Sequence, residues 1–182
     1  MPETVSSSSS RRRWKWYFLI VFLLSLLATG SLIVFNRSIQ LTADQLAKER
    51  QRWETTRPVR YHFTYLRVEN DEKAGKLYKV AVVGGKVVKA EVFDVQTRDR
   101  QGIEPPGAGT ELSTAAAQGH SMDAVFDELG ALLSLDARLG RRVFVRARFH
   151  PDHGAILEFV HRIMGTRERV QLSVLSFAGD GE

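Results

Sequence analysis

The chain has 182 residues, a net charge of +5 and no cysteine. The lack of cysteine excludes disulfides, thiolate metal ligands and a cysteine nucleophile. Residues 1–35 hold four Lys or Arg and a single acid, so the rest of the chain carries a net charge of only +2. Because most of the excess charge belongs to a short N-terminal flank, the basic composition does not indicate a nucleic-acid-binding protein.

An apolar stretch of nineteen residues, from Tyr17 to Phe35, contains no charged side chain. A helix of this length rises about 28 Å, which is close to the thickness of a bilayer hydrocarbon core. We therefore predict a transmembrane helix at 17–35, with the lipid bilayer as its partner. The alternative is a signal peptide cleaved at the small residues 28–30, which would leave an apolar new N-terminus on an exported protein.

Positive charge is concentrated on the N-terminal side of this stretch. Arg11, Arg12, Arg13 and Lys15 precede it, whereas only Arg37 lies within five residues of its other end. Cationic flanks tend to stay in the cytoplasm. The sequence therefore predicts a single-pass protein of the inner or plasma membrane, with a disordered basic cytoplasmic tail at 1–16 and an extracytoplasmic C-terminal domain.

A short helical pattern follows the apolar stretch. Thr42 and Gln45 have the spacing of a capping box, and Pro58 ends the pattern because proline disfavours helix at the preceding residue. The apolar positions form only a thin stripe: Ala43, Leu46, Ala47 and Trp53. We interpret 36–57 as a juxtamembrane helical stalk.

Alternating and β-branched residues predict three strands after the proline, at 59–65, 76–83 and 86–95. Gly84 and Gly85 separate the second strand from the third, and two glycines suit the positive φ angles of a tight hairpin turn. This pattern predicts a three-stranded antiparallel meander.

Residues 96–119 show no period and predict a long loop. Ser121 is a suitable N-cap for a helix that runs to about Arg138. Its apolar residues recur at helical spacing on one face: Met122, Val125, Phe126, Leu129, Leu132 and Leu133.

Three further strands are predicted at 141–149, 155–163 and 168–177. The expected fold class is therefore α+β, with an antiparallel sheet in the order βββ-α-βββ and one amphipathic helix packed on a face. The domain would occupy 58–178, and 179–182 would form a short tail.

Several short motifs follow one another along the chain: Trp53, Pro58, the strand Tyr61-x-Phe63-x-Tyr65, the glycine hairpin at 80–88, the helix start at 121–126 and the turn at 149–154. Their order resembles an uncharacterised family of bacterial envelope proteins and lipoproteins, a domain of unknown function with a Tyr-x-Phe-x-Tyr first strand. The resemblance covers about residues 50–178 and implies an exported α+β domain with no assigned catalytic residues.

A turn near the C-terminus carries candidate metal ligands. His150 and His153 flank Asp152, and two imidazoles three positions apart can share a cation if the turn curls inward. Structural zinc sites normally need four ligands, so a plain surface turn is the alternative interpretation.

The polar face of the strand at 141–149 carries a candidate ligand surface formed by Arg142, Phe144, Arg146 and Arg148. Arginine beside an aromatic ring can bind anionic lipid headgroups, acidic glycans or a partner protein. Cross-strand pairing with Glu158 is the alternative interpretation.

No catalytic constellation can be identified from the residues. No serine lies in a GxSxG motif, and no phosphate loop or dinucleotide fingerprint indicates a cofactor. The functional hypothesis is a non-catalytic binding or structural module of the cell envelope, with an envelope protein as a potential partner. The alternative is a metal-dependent or hydrolytic enzyme that uses the turn of His150, Asp152 and His153 or the loop around His120.

Overall fold

A computed structural model of the protein describes residues 8–38, 40–70, 74–98, 102–103 and 107–179. The chain divides into two compact units, Met1–Ile39 and Gln40–Glu182. The helices are α1 (Ser8–Ser38), α2 (Ala43–Thr56), α3 (Thr114–Gln118) and α4 (Met122–Leu139). The strands are β1 (Arg60–Glu69), β2 (Ala74–Val83), β3 (Lys86–Arg98), β4 (Gly102–Ile103), β5 (Thr110–Glu111), β6 (Val143–Phe149), β7 (Ile156–Ile163) and β8 (Arg169–Gly179).

The first unit contains α1, a helix long and apolar enough to cross a membrane. Its segment Trp14–Ser31 has a mean hydropathy of 1.4, and none of that segment is buried. The predicted disordered tail at 1–16 is wrong from Ser8 onward, because the helix begins there and its basic residues are good helix formers. Residues 1–7 lie outside the described part of the chain.

The second unit is built on an antiparallel sheet with the strand order β4-β3-β2-β1-β8-β7-β6, and β5 pairs with β3. The α+β class and the antiparallel sheet are confirmed. The simple order βββ-α-βββ is not confirmed, because β4, β5 and α3 lie between β3 and α4. The prediction of a structureless loop at 96–119 is therefore wrong where these elements form.

The hairpin between β2 and β3 has the predicted glycine turn. Gly84 and Gly85 have φ angles of 58° and 78°. Residues with a Cβ disfavour this left-handed region, so the two glycines allow the strands to reverse within two residues.

One face of the sheet is covered by α2 and α4. Alternate residues of β1 point to that face, and Tyr61, Phe63 and Tyr65 are all buried there. Helix α4 contributes the predicted apolar face, with Met122, Val125, Phe126 and Leu129 buried. It begins at the N-cap Ser121 and ends at Gly140, which has a φ angle of 60°.

Helix α2 is part of the core, in contrast to the interpretation of 36–57 as a stalk. The capping box between Thr42 and Gln45 forms as predicted. However, Trp53 is completely buried, and its indole Nε1 donates a 2.8 Å hydrogen bond to Asp123 Oδ1 at the start of α4. A single tryptophan buries enough apolar area to attach a helix whose remaining apolar stripe is thin.

A smaller cluster lies on the opposite face of the sheet. It consists of Leu77, Phe93 and Val95, with Leu66 packed against them. The segment before β5 covers this cluster closely, since a Cβ added at Gly109 would lie 2.4 Å from the Phe93 ring. Backbone passes over an aromatic ring here because residue 109 has no side chain.

Candidate functional site

The turn of His150, Asp152 and His153 is not arranged as a metal centre. The imidazole rings of His150 and His153 lie with centroids 3.8 Å apart and are tilted by 34° relative to each other. His150 Nδ1 accepts a hydrogen bond from the Asp152 backbone N–H at 3.3 Å. Within the described residues, no group of three histidine or acidic side chains could hold a metal ion. The structure thus gives the metal interpretation no support.

His153 instead packs in the aromatic cluster beneath α2. Its ring lies 4.7 Å from Phe177 and 6.2 Å from Trp53, measured between centroids. Gly154 allows this packing, because its φ angle is 70° and a Cβ there would lie 2.9 Å from the Glu49 carbonyl oxygen. The turn therefore attaches the β6–β7 hairpin to α2.

The predicted arginine surface lies on β6, the edge strand of the sheet, and on Arg142 directly before it. Arg142, Arg146 and Arg148 are exposed, while Phe144 is half-buried. Arg148 Nε lies 3.8 Å from Glu158 Oε2, the cross-strand partner that the alternative interpretation named. That alternative accounts for Arg148 but not for Arg142 or Arg146.

A buried pair that the sequence interpretation missed connects α4 to β7. His161 Nε2 lies 2.7 Å from Asp136 Oδ2, and both residues are almost inaccessible to solvent. Asp136 falls on the apolar face of α4, and His161 falls in the inward alternation of β7 between Phe159 and Ile163. The sequence did contain a signal for this pair. In each element, a polar residue occupies a position where the pattern predicts a buried apolar one. Because solvent and substrate do not reach this pair, its role is structural.

A cleft of the second unit lies near the ends of β1, β2 and β3 beside α3. Its volume is about 450 Å³, within the range of small-molecule sites. The cleft is lined by Arg67, Glu69, Ala74, Gly75, Lys76, Tyr78, Asp94 and His120. None of these residues was predicted to form a site together, since they come from four separate segments.

A tyrosine–histidine pair lies at the base of the cleft. The Tyr65 hydroxyl is 2.6 Å from His120 Nδ1, and the Tyr78 ring stacks on the His120 imidazole with centroids 4.3 Å apart. The Tyr65 and Tyr78 rings also stack, at 4.9 Å. The three rings hold one another in fixed orientations.

Burial sets the protonation of these groups. It raises the pKa of Tyr65 and of Tyr78, so both hydroxyls stay protonated. Burial, assisted by the nearby Arg67 guanidinium, lowers the pKa of His120 below its usual value of 6.5. We assign the Tyr65 hydroxyl as donor to His120 Nδ1, which leaves the Nε2–H as the donor of a neutral imidazole.

Arg67 is held beside the cleft by two carboxylates. Its Nη1 donates to Glu128 Oε2 at 2.9 Å and its Nη2 lies 2.8 Å from Glu128 Oε1, which is a two-point contact between β1 and α4. Its Nε donates to Glu69 Oε1 at 2.8 Å. These carboxylates raise the pKa of Arg67 and outweigh the effect of burial. The guanidinium is therefore fully charged and fixed in position.

Lys76 and Asp94 are directly opposite each other across β2 and β3 at the mouth of the cleft. Both are exposed. No salt bridge joins them in the part of the chain that the structure describes. The cleft therefore offers one ammonium and one carboxylate to solvent, in contrast to Arg67, whose charge is paired with Glu69 and Glu128.

Comparison of the chain with models of known protein families gives no match, and comparison with curated proteins gives none either. The geometry of the described residues is thus the basis for any functional assignment.

Proposed function

We propose that the chain is a single-pass membrane protein of the cell envelope. In this proposal residues 17–35 anchor it in the inner or plasma membrane, the N-terminus is cytoplasmic, and the α+β domain is an extracytoplasmic, non-catalytic binding module. The resemblance to envelope proteins with a Tyr-x-Phe-x-Tyr strand agrees with this placement.

The exposed apolar surface of α1 supports anchoring. Large apolar side chains of this helix are half to two-thirds exposed, including Phe22 at 63% and Leu27 at 67%. A helix that exposes large apolar side chains on all sides is typical of a membrane span. The four basic residues before it favour a cytoplasmic N-terminus.

The cleft beside Tyr78 and His120 is the single observation on which the proposed binding role depends. It combines an aromatic floor, the neutral imidazole of His120 and two opposite charges at its mouth, Lys76 and Asp94. A pocket with a few fixed polar groups is the usual form of a small-molecule site. The charges favour a small ligand that carries both an anionic and a cationic group, such as an amino acid or a short peptide.

The arrangement of the remaining polar groups supports binding in preference to catalysis. Arg67 is paired with Glu69 and Glu128, and His120 is held by Tyr65. A general base needs a free lone pair that faces the substrate. The assigned tautomer commits the lone pair of His120 to a buried tyrosine hydroxyl.

Ligand binding by the full-length protein in nanodiscs tests this role. Free amino acids and dipeptides are the charged probes, neutral sugars are the comparison, and thermal shift with calorimetry is the measurement. We expect a zwitterionic probe to stabilise the protein, and Lys76→Gln with Asp94→Asn to weaken its binding about tenfold or more, as is usual when charged hydrogen-bond partners are lost.

Lys89 and Glu91 provide a matched control, since they form an exposed 2.7 Å salt bridge on β3 outside the cleft. The double variant Lys89→Gln with Glu91→Gln removes the same charges and should leave binding unchanged. If no zwitterionic probe stabilises the protein, or if both double variants weaken binding equally, the assignment of the cleft is wrong.

A further inference from the structure

Four arginines share one face of the sheet at the end formed by β6 and β7. Arg146 and Arg148 alternate along β6, Arg142 directly precedes that strand, and Arg162 on β7 is paired in register with Phe144. We call these four residues the arginine face. Glu158 is the only acidic residue in β6, β7 or β8, and it lies beside Arg148.

The arginine face lies on the opposite side of these strands from α2 and α4. The alternate residues Val145, Phe159 and Leu172 are buried in the core beneath α2 and α4. The four arginines alternate with them and are exposed. Like charges are clustered here at an electrostatic cost, which a partner of opposite charge would relieve.

A backbone hydrogen bond ties the start of the domain to the same strand. Leu41 N–H donates to the Val145 carbonyl oxygen at 2.9 Å. Leu41 follows Phe35, the last residue of the proposed span, by six positions. Six residues reach at most about 20 Å when fully extended. If 17–35 spans the bilayer, the covalent chain therefore keeps β6 close to the headgroup layer.

We propose that the arginine face binds anionic phospholipid headgroups of the leaflet from which the span emerges. The guanidinium group makes two-point hydrogen bonds to phosphate, and basic residues near a membrane surface are attracted to anionic lipid. The half-buried Phe144 lies among the arginines and offers an aromatic edge at the interface. This proposal rests on the membrane anchoring in the proposed function and is independent of the cleft.

The contact would fix the orientation of the domain on the membrane. An arginine near an anionic surface changes the binding equilibrium on the order of fivefold. Removing Arg142, Arg146 and Arg148 together should therefore shift the ratio of lipid-bound to lipid-free domain on the order of a hundredfold.

Energy transfer in nanodiscs tests the proposal with the full-length chain. Because the chain has no cysteine, a single introduced cysteine takes one dye. Met164→Cys places the dye in an exposed turn whose backbone N–H bonds to the Arg142 carbonyl, and Val88→Cys places it in the exposed β2–β3 hairpin as the reference position. The acceptor is attached to lipid headgroups, in phosphatidylcholine with or without phosphatidylglycerol.

We expect phosphatidylglycerol to increase transfer from position 164 but not from position 88. The variant R142Q/R146Q/R148Q should lose this increase. The variant K79Q/K86Q/K89Q removes three exposed cations from β2 and β3 and should retain it.

Equal transfer with and without phosphatidylglycerol would overturn the headgroup proposal while leaving the anchor intact, and so would loss of the increase in both triple variants. Failure of the chain to enter nanodiscs would overturn the anchor and the headgroup contact together. Association of the face with an acidic protein, independent of lipid charge, would also contradict the proposal.

Discussion

His161 on β7 and Asp136 on α4 form a 2.7 Å contact between Nε2 and Oδ2 inside the core of the domain. Apolar residues such as Phe126, Leu129 and Phe159 pack around it, and Arg67 on β1 forms a second, partly exposed polar contact with Glu128 on α4. The buried pair therefore helps to set the register of the helix against the strand, since apolar packing alone is less specific.

Asp136→Ala should lower the free energy of unfolding by about 1–3 kcal/mol, because it leaves the His161 imidazole buried without its partner. The double variant Asp136→Leu with His161→Leu should recover most of that loss, since neither polar group remains. Urea unfolding provides the measurement. Glu158→Ala serves as control, since this half-buried carboxylate makes a 3.8 Å ion pair at the surface, and its expected change is below about 0.5 kcal/mol. An Asp136→Ala variant as stable as the native protein would show that the pair contributes nothing.

Trp53→Ala should destabilise the α+β domain by about 3–5 kcal/mol, because it empties a fully buried site and breaks the bond to Asp123. Trp53→Phe should lower the free energy of unfolding by less, since phenylalanine keeps most of the buried apolar area. Val59→Ala is the control, because Val59 is 70% exposed. Thermal unfolding of the three variants measures these effects. If Trp53→Ala did not change the thermal stability, α2 would be a detached stalk, as its thin apolar stripe had indicated.

The pH dependence of stability should reflect His120. Its pKa is lowered in the folded state, so the unfolded chain binds more protons as the pH falls. The contribution of His120 to the free energy of unfolding is therefore fully present above the unfolded pKa of about 6.5. It decreases as the pH falls through that value toward the lower folded pKa. His120→Gln should flatten the profile of unfolding free energy below about pH 6.5, where the unfolded imidazole gains its proton. Identical profiles for native protein and His120→Gln would contradict the burial of a neutral imidazole.

Gly109→Ala should destabilise the packing on the second face of the sheet by about 1–3 kcal/mol, since the new methyl group would overlap the Phe93 ring. Gly107→Ala is a close control, because a Cβ at position 107 meets nothing within 4 Å. Hydrogen exchange of the β3 amides, combined with denaturant unfolding, separates local from global effects. Equal stability of the two variants would show that the segment before β5 does not lie against Phe93.

Local signals in the sequence predicted the elements that depend on neighbouring residues. The capping box of Thr42 and Gln45, the N-cap Ser121 and the turn of Gly84 and Gly85 all form as expected. Each involves residues within a few positions of one another, so its physical cause can be recognised without knowing the fold.

Long-range contacts explain what the sequence interpretation missed. Tyr65 and His120 are 55 positions apart, and their contact depends on how the segment after β3 returns to β1. Residues 96–119 have no period that indicates such a return, because β5 and α3 are too short to show one. The burial of Trp53 could not be predicted for a similar reason, since its partner Asp123 is 70 positions away.

Topology of the full-length protein in cells is the most direct test of the central claim. A single cysteine at Lys89, in a chain that otherwise has none, can be labelled with a membrane-impermeant thiol reagent in intact spheroplasts. We predict that Lys89→Cys is labelled without lysis and that the labelled protein stays with membranes washed in alkaline carbonate. Labelling that requires lysis, or a protein released by the wash, would contradict an anchored extracytoplasmic domain.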